Sequence, residues 1–154
     1  MIRGGHNASV VRFSDRKIHS HCYRYDALIC LRDYVFDYHR DRLDGFVIYD
    51  SDFDINFDRT IPVPLTEFVK EVGLLKVYRN VAALSVFFYL VGVDTELLHK
   101  KLAEKFSEKA EDEIELSKMA CKYVSKNYNP ITKIPKIGGK NPFIREVRRL
   151  PSNG

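Results

Sequence analysis

A chain of 154 residues with 45% hydrophobic content can form one domain with a sizeable core, but hardly two. Its longest apolar stretch, residues 81–93, is shorter than the roughly 18 residues that a bilayer requires, which excludes a membrane span. No basic segment followed by an apolar run opens the chain, so we expect a cytoplasmic location.

The charge and cysteine content of the chain bear on its binding partners and on whether it contains disulfides or a metal site. The chain carries 25 basic and 21 acidic residues, and the resulting net charge of +4 is partly concentrated near the C-terminus. A basic tail docks on acidic partner surfaces as readily as on nucleic acid. Cys22, Cys30 and Cys121 form no CxxC pair, so the sequence predicts neither a disulfide framework nor a zinc or iron-sulfur site.

Two short extended runs open the chain. Ala8–Phe13 and residues 17–22 flank the turn residues 14–16, a pattern that is typical of a β-hairpin. The sequence therefore predicts a small antiparallel element ahead of the main fold.

A parallel sheet is predicted next. Residues 27–31 and 45–49 are apolar throughout, as expected of strands that are covered on both faces. Residues 33–43 between them are the expected crossover helix. Residues 61–65 form a third candidate strand, which we place at an edge because prolines 62 and 64 cannot donate to a ladder.

The second half is predicted to be helical. Helices are expected over Leu65–Val72 and over residues 80–91, the latter apolar on nearly every face and stopped by Gly92. Asp94 is the expected N-cap of a further amphipathic helix. A last helix over residues 108–128 is expected to bury one stripe of side chains: Ala110, Ile114, Ser117, Cys121 and Val124.

The tail is different in character. Beyond Asn129 it contains four prolines and two adjacent glycines, without a periodicity that specifies a packed element. We therefore expect an α/β domain over residues 1–128, with an open, mainly parallel sheet, an N-terminal hairpin and a helical C-terminal half. Residues 129–154 are expected to be an extended basic linker or docking tail.

Several segments together resemble the gamma family of pyruvate and 2-oxoacid:ferredoxin oxidoreductases. The segments are Arg3-Gly4-Gly5-His6-Asn7 followed by Val10-Val11-Arg12-Phe13-Ser14-Asp15, then Asp26-Ala27-Leu28-Ile29-Cys30-Leu31, Gly45-Phe46-Val47-Ile48-Tyr49-Asp50-Ser51-Asp52, and Asn80-Val81-Ala82-Ala83-Leu84 before Gly92-Val93-Asp94. The resemblance covers about residues 1–128. It is strongest to the gamma domain that is fused at the front of 2-oxoacid oxidoreductase alpha subunits.

The resemblance implies a role in coenzyme A-dependent oxidative decarboxylation of 2-oxoacids. In that family, thiamine diphosphate, magnesium and iron-sulfur clusters lie on other domains or subunits, so we expect no cofactor on this chain and no catalysis by it alone. Its expected partners are the alpha and beta subunits and, as a ligand, coenzyme A. Family members begin with a strand, a glycine-rich turn and a helix that this sequence lacks, so we also expect self-association or a complex.

Two segments are candidate contact sites. Paired glycines bring the backbone close to a ligand, and Arg3 and His6 add positive charge, so Arg3, Gly4, Gly5, His6 and Asn7 are candidates for binding coenzyme A or a partner chain. Without the resemblance, the same residues favour a simple glycine turn that leads into the hairpin.

The second candidate segment is Asp50, Ser51 and Asp52. It follows a predicted core strand, where open parallel sheets often bind ligands. A solvated loop is the alternative interpretation.

Other chemistry finds little support in the sequence. His19, His21 and Cys22 lie close together in the sequence. No further residues at a recognisable spacing complete a set of three or four metal ligands with them, so we expect no metal site. No nucleophile stands with a base, and no phosphate-binding glycine loop is present in the sequence. The alternative functions are a nucleotide or nucleic-acid binding module and an inactive fragment of a larger alpha subunit.

Overall fold

The computed structural model describes residues 8–13, 17, 19–20, 22–105, 108–131 and, as backbone, 144–150. The chain divides into two compact units. The larger unit is Arg24–Ile134, and the smaller combines Met1–Tyr23 with Pro135–Gly154. The candidate residues Arg3, Gly4, Gly5, His6 and Asn7 lie outside the described residues.

The larger unit is built on a parallel sheet of three strands. β2 spans Tyr25–Cys30, β3 spans Leu43–Asp50 and β4 spans Thr60–Val63, in the order β2-β3-β4. Both pairings are parallel, with Ile29 opposite Ile48 and Ile48 opposite Ile61. The predicted strands, their direction and the edge position of the third strand are therefore confirmed for the described sheet.

Five described helices pack around this sheet. The first of them leads into a short 3₁₀ turn, and the third follows another. They are α1 Val35–His39, α2 Leu65–Val72, α3 Arg79–Leu90, α4 Thr95–Lys105 and α5 Ala110–Asn127, with 3₁₀ turns at Arg40–Arg42 and Lys76–Tyr78. The crossover helix predicted over residues 33–43 is shorter than expected, because Phe36 and His39 are its only buried residues and a longer helix would have little to pack against. No described helix is long and apolar enough to cross a membrane.

The sheet separates two hydrophobic clusters. Alternate residues of β3 point to opposite faces, so Phe46 and Ile48 join the larger cluster with helices α2 to α5, while Val47 and Tyr49 join a smaller one. The smaller cluster also contains Phe36 of α1. Both faces of β3 are thus covered, which is the physical reason for its unbroken apolar run.

The helix boundaries after α3 agree with the sequence. Gly92 follows the end of α3 with φ of 69°. The Asp94 carboxylate accepts a hydrogen bond from the Glu96 N–H at 3.0 Å, so the predicted N-cap of α4 is confirmed.

The buried stripe of α5 is only partly as predicted. Ser117 and Val124 are buried, whereas Ala110, Ile114 and Cys121 are only half-buried. The fully buried positions are Glu113, Leu116, Ser117, Ala120 and Val124. The buried stripe therefore runs through Ala120 instead of Cys121. It also includes the Glu113 carboxylate, which a pattern based on apolar residues alone would place in solvent.

The smaller unit corrects the hairpin prediction. β1 (Ala8–Phe13) pairs antiparallel with β5 (Ile144–Leu150) instead of with the described residues of the predicted second hairpin strand. Residues 17, 19, 20 and 22 lie outside the strands. The Ser20 carbonyl, which a hairpin would use as a ladder acceptor, instead accepts a hydrogen bond from the Arg12 guanidinium at 2.6 Å. The tail, where no packed element was expected, thus supplies a strand.

Gly45 is required by a close backbone contact. The register of β2 and β3 shifts between Tyr25 and Ala27, and a Cβ on Gly45 would stand 1.6 Å from the Asp26 carbonyl oxygen.

We expect Gly45→Ala to destabilise the fold by about 3 kcal/mol, at the upper end of overpacking costs. Gly73→Ala is the matched control, since its Cβ would meet nothing within 4 Å and only φ of 79° opposes it, at about 1 kcal/mol. Urea unfolding of both variants decides the matter, and equal costs would show that the contact is not limiting.

Candidate functional site

Asp50 ends β3 at the edge of the sheet where the carboxyl ends of the strands meet. Its side chain is only 1% exposed. Oδ2 accepts hydrogen bonds from the Thr66 backbone N–H at 3.1 Å and from the Thr66 hydroxyl. Since Thr66 lies in the first turn of α2, the Asp50 carboxylate occupies the positive N-terminal end of that helix.

Arg79 supplies the opposite charge. It is the first residue of α3, and its side chain is 11% exposed. Its Nη1 donates to Asp50 Oδ2 at 3.1 Å, its Nη2 to the Leu31 carbonyl at 2.8 Å and its Nε to the Lys76 carbonyl at 3.3 Å. The guanidinium also lies over the Phe53 ring, 6.0 Å from its centroid.

The two side chains together join four elements at one point. Asp50 belongs to β3 and holds the start of α2, while Arg79 begins α3 and holds the residue that follows β2. Burial strengthens the attraction between the charges but removes their water, so each charge depends on the other. We call these three residues, Asp50, Thr66 and Arg79, the strand-end anchor.

The remaining residues of this candidate segment face solvent. Ser51 and Asp52 are exposed, and the loop is shaped by hydrogen bonds from Ser51 N–H to the Val63 carbonyl and from Phe53 N–H to the Asp50 carbonyl, both 2.9 Å. The solvated-loop interpretation therefore describes Ser51 and Asp52, whereas Asp50 is buried. Arg32 and Asp33, which follow β2, are exposed near the same edge.

The arrangement limits which ligands the edge can bind. An anion at the N-terminus of α2 would compete with the Asp50 carboxylate, which already holds that position. Exposed side chains of both signs remain available for polar contacts. Asp50 Oδ1 is buried without a hydrogen-bond partner in the part of the chain that the structure describes, so it keeps acceptor capacity.

Metal and thiol chemistry are not evident among the described residues. Within them, no three His, Cys, Asp or Glu side chains lie close enough to hold a metal ion. Burial raises the pKa of the Cys30 thiol to about 12 and also raises the pKa of Cys121, so neither side chain is a ready thiolate nucleophile. His19 and Cys22 are exposed, and His21 lies outside the described ranges.

The chain matches a known protein family over most of its length. The family described as "Pyruvate ferredoxin/flavodoxin oxidoreductase" matches residues 1–126. The chain belongs to this family. Searching curated protein sequences finds no match.

A solved structure shares the fold of this oxidoreductase family member. It is described as 2-oxoglutarate:ferredoxin oxidoreductase from Magnetococcus marinus with 2-oxoglutarate, coenzyme A and succinyl-CoA bound. The similarity has a TM-score of 0.62 at 18% identity and covers 77% of the present chain but 23% of the other. The expected α/β fold is thereby confirmed, and the chain spans about a quarter of that larger protein.

Sequence reasoning about this family member missed two of the three anchor residues. Thr66 and Arg79 lie 16 and 29 positions after Asp50 and share no motif with it. The one available signal was an arginine that opens a mostly apolar helix, where an unpaired charge would be costly. Its partner depends on the order of the strands.

Breaking the anchor should destabilise the domain. We expect Asp50→Asn to cost about 3 kcal/mol, because it leaves the Arg79 charge largely buried without a counter-charge. Asp52→Asn removes the same charge two residues away in solvent and should change stability by less than about 0.5 kcal/mol. The coupling between Asp50 and Arg79 is measured by chemical unfolding of Asp50→Asn, Arg79→Met and the double variant. Asp52→Asn is unfolded beside them as the control. Strict additivity would show that the pair does not act as a unit.

Proposed function

We propose that this chain is a gamma-type domain or subunit of a 2-oxoacid:ferredoxin oxidoreductase, and that it supports assembly and ligand binding without being catalytic alone. The observation that carries the proposal is the family match over residues 1–126. In this proposal, partner alpha and beta subunits hold thiamine diphosphate, magnesium and iron-sulfur clusters and perform the coenzyme A-dependent decarboxylation. The complex would work in the cytoplasm.

The chemistry of the described residues supports a non-catalytic role. The buried carboxylate at the strand ends is committed to Thr66 and Arg79, and the Cys30 thiol is held neutral by burial. The anchor organises the edge of the sheet, and the exposed Ser51 and Asp52 beside it are the residues we propose for ligand or partner contact. Asp50 would act there by positioning the loop.

The sheet itself supports association with a partner. β2 has a single hydrogen-bonded neighbour within the described sheet, and Ala27, Leu28 and Ile29 in it are only half-buried. A strand edge with unpaired backbone and partly exposed apolar side chains is stabilised when another segment covers it. Self-association or docking of an oxidoreductase subunit would supply that cover.

Coenzyme A is the small ligand that we propose. The Magnetococcus marinus structure is described with coenzyme A bound, and in this chain Arg3, Gly4, Gly5, His6 and Asn7 are the proposed contact segment. Backbone N–H groups next to glycines, together with the cationic Arg3, suit phosphate groups. We further propose that residues 129–154 contribute to docking, while residues 1–128 form the gamma-type domain.

The proposed division of labour predicts an inactive isolated chain. The purified protein should show no ferredoxin reduction with pyruvate or 2-oxoglutarate and coenzyme A, and it should co-purify with thiamine-containing oxidoreductase subunits from native extract. The measurements are a ferredoxin-coupled assay and mass spectrometry of a tagged pull-down. Turnover by the isolated chain would refute the non-catalytic role, and absence of those subunits from the pull-down would refute the assembly role.

Arg3 tests the proposed ligand segment. Arg3→Ala should weaken binding of coenzyme A by roughly tenfold, the effect of losing about 1.4 kcal/mol from a charge-assisted contact. Its thermal stability should match the wild type. Lys17→Ala removes the same charge at an exposed position and is the matched control. Titration calorimetry with coenzyme A is the measurement, and equal affinities for all three proteins would remove Arg3 from the site.

A further inference from the structure

Glu113 is a carboxylate buried in the helical layer. It lies in α5 with a side chain that is 0% exposed. Neither of its carboxylate oxygens has a hydrogen-bond partner within the described residues. A charged carboxylate in such a place is costly, whereas the protonated acid is tolerated far better.

One turn further along α5, a chain of buried hydrogen bonds joins three helices. Ser117 Oγ lies 2.7 Å from Ser85 Oγ of α3 and 2.8 Å from His99 Nε2 of α4. Ser85 Oγ also lies 2.7 Å from the Val81 carbonyl, and His99 Nδ1 lies 3.4 Å from the Glu96 carboxylate. We call Ser85, Ser117 and His99 the helix latch.

The helix latch makes the docking of α4 cooperative. Ser85 and Ser117 are fully buried and His99 nearly so, and Ser117 links the hydroxyl of Ser85 to the imidazole of His99. A small displacement of α4 from α5 would leave several buried polar groups without partners at once. The other buried side chains of α4, Leu98 and Leu102, add a modest apolar contact. The latch thus ties α4 to α5 and, through Ser85, to α3.

The charge state of Glu113 acts on this same contact. Desolvation raises the pKa of Glu113, and the nearby Lys105 and Lys109 oppose that rise without cancelling it. Further titratable residues belong to α5 and to the elements that pack against it. They are His99, Glu96, Lys100, Lys101 and Glu104 on α4, Arg79 and Tyr89 on α3, Glu67, Lys70 and Glu71 on α2, and Glu111, Asp112, Glu115, Lys118, Cys121, Lys122, Tyr123 and Lys126 on α5 itself, while β4 has none.

We propose that the docking of α4 on α5 is a proton-responsive device, in which protonated Glu113 keeps the helix latch closed and its deprotonation favours release of α4. Because Glu113 and Ser117 are four residues apart, they lie on the same face of α5. Lys105, the last residue of α4, is among the charges that act on Glu113, so the carboxyl lies near the contact between α4 and α5. Release exposes the apolar side chains of α4 and the buried face of α5.

The sign of the effect follows from linkage. With its folded pKa raised above the ordinary value of 4.5, native Glu113 binds more protons than the unfolded or released form at intermediate pH. The docked state is therefore favoured at low pH and loses that advantage as the pH rises from about 4.5 through the folded pKa.

Hydrogen exchange of the full chain tests the proposal. The opening equilibrium of α4 amides, corrected for intrinsic exchange rates, should increase by about tenfold for each unit of pKa elevation between pH 4 and pH 8. Glu113→Gln should remove this dependence and keep α4 docked at pH 8. Glu111→Gln, an exposed carboxylate in the same turn of α5, should behave like the wild type.

Two results would overturn the proposal. One is a pH dependence of α4 opening that is equal in wild type and Glu113→Gln. The other comes from the unmodified protein, whose Glu113 side-chain carboxyl can be titrated by carbon NMR: a value at or below 4.5 would rule out the device even if the variant does not fold.

Discussion

The buried ion pair of Asp50 and Arg79 is the interaction on which the rest of the α/β unit depends. It lies where β2 and β3 end and where α2 and α3 begin, so one contact sets the relative positions of four elements. Because the two charges are nearly removed from solvent, each is tolerable only beside the other. This mutual dependence explains why the loop after β3 has a defined shape although Ser51 and Asp52 face solvent.

The helical layer uses polar groups in a different way. At the anchor, opposite charges meet. Between α3, α4 and α5, hydroxyls and an imidazole form a chain of hydrogen bonds, and Glu113 is buried on the same face of α5 without a hydrogen-bond partner among the described residues. The first arrangement stabilises one geometry by pairing two buried charges. The second makes the packing of α4 depend on protons, so the two ends of the fold differ in how firmly they are held.

This contrast is compatible with the proposed role as a domain of a larger oxidoreductase. The family match covers most of the chain, and the chain spans about a quarter of the solved structure whose fold it shares. In the proposed function, the firmly anchored strand ends present a constant surface to ligand or partner. The half-buried side chains of β2 and the releasable α4 are the parts that association would affect most.

The sequence by itself determined the α/β class, the parallel strands 27–31 and 45–49, the edge strand, and the caps at Gly92 and Asp94, because each follows from local patterns of burial or backbone preference. It also indicated Asp50 as a strand-end residue. Only the tertiary structure decided that β1 pairs with β5, that Arg79 and Thr66 complete the anchor, and that Glu113 is buried. These outcomes depend on which distant segments meet, and a two-residue or four-residue periodicity contains no information about partners that are 16 to more than 130 positions apart.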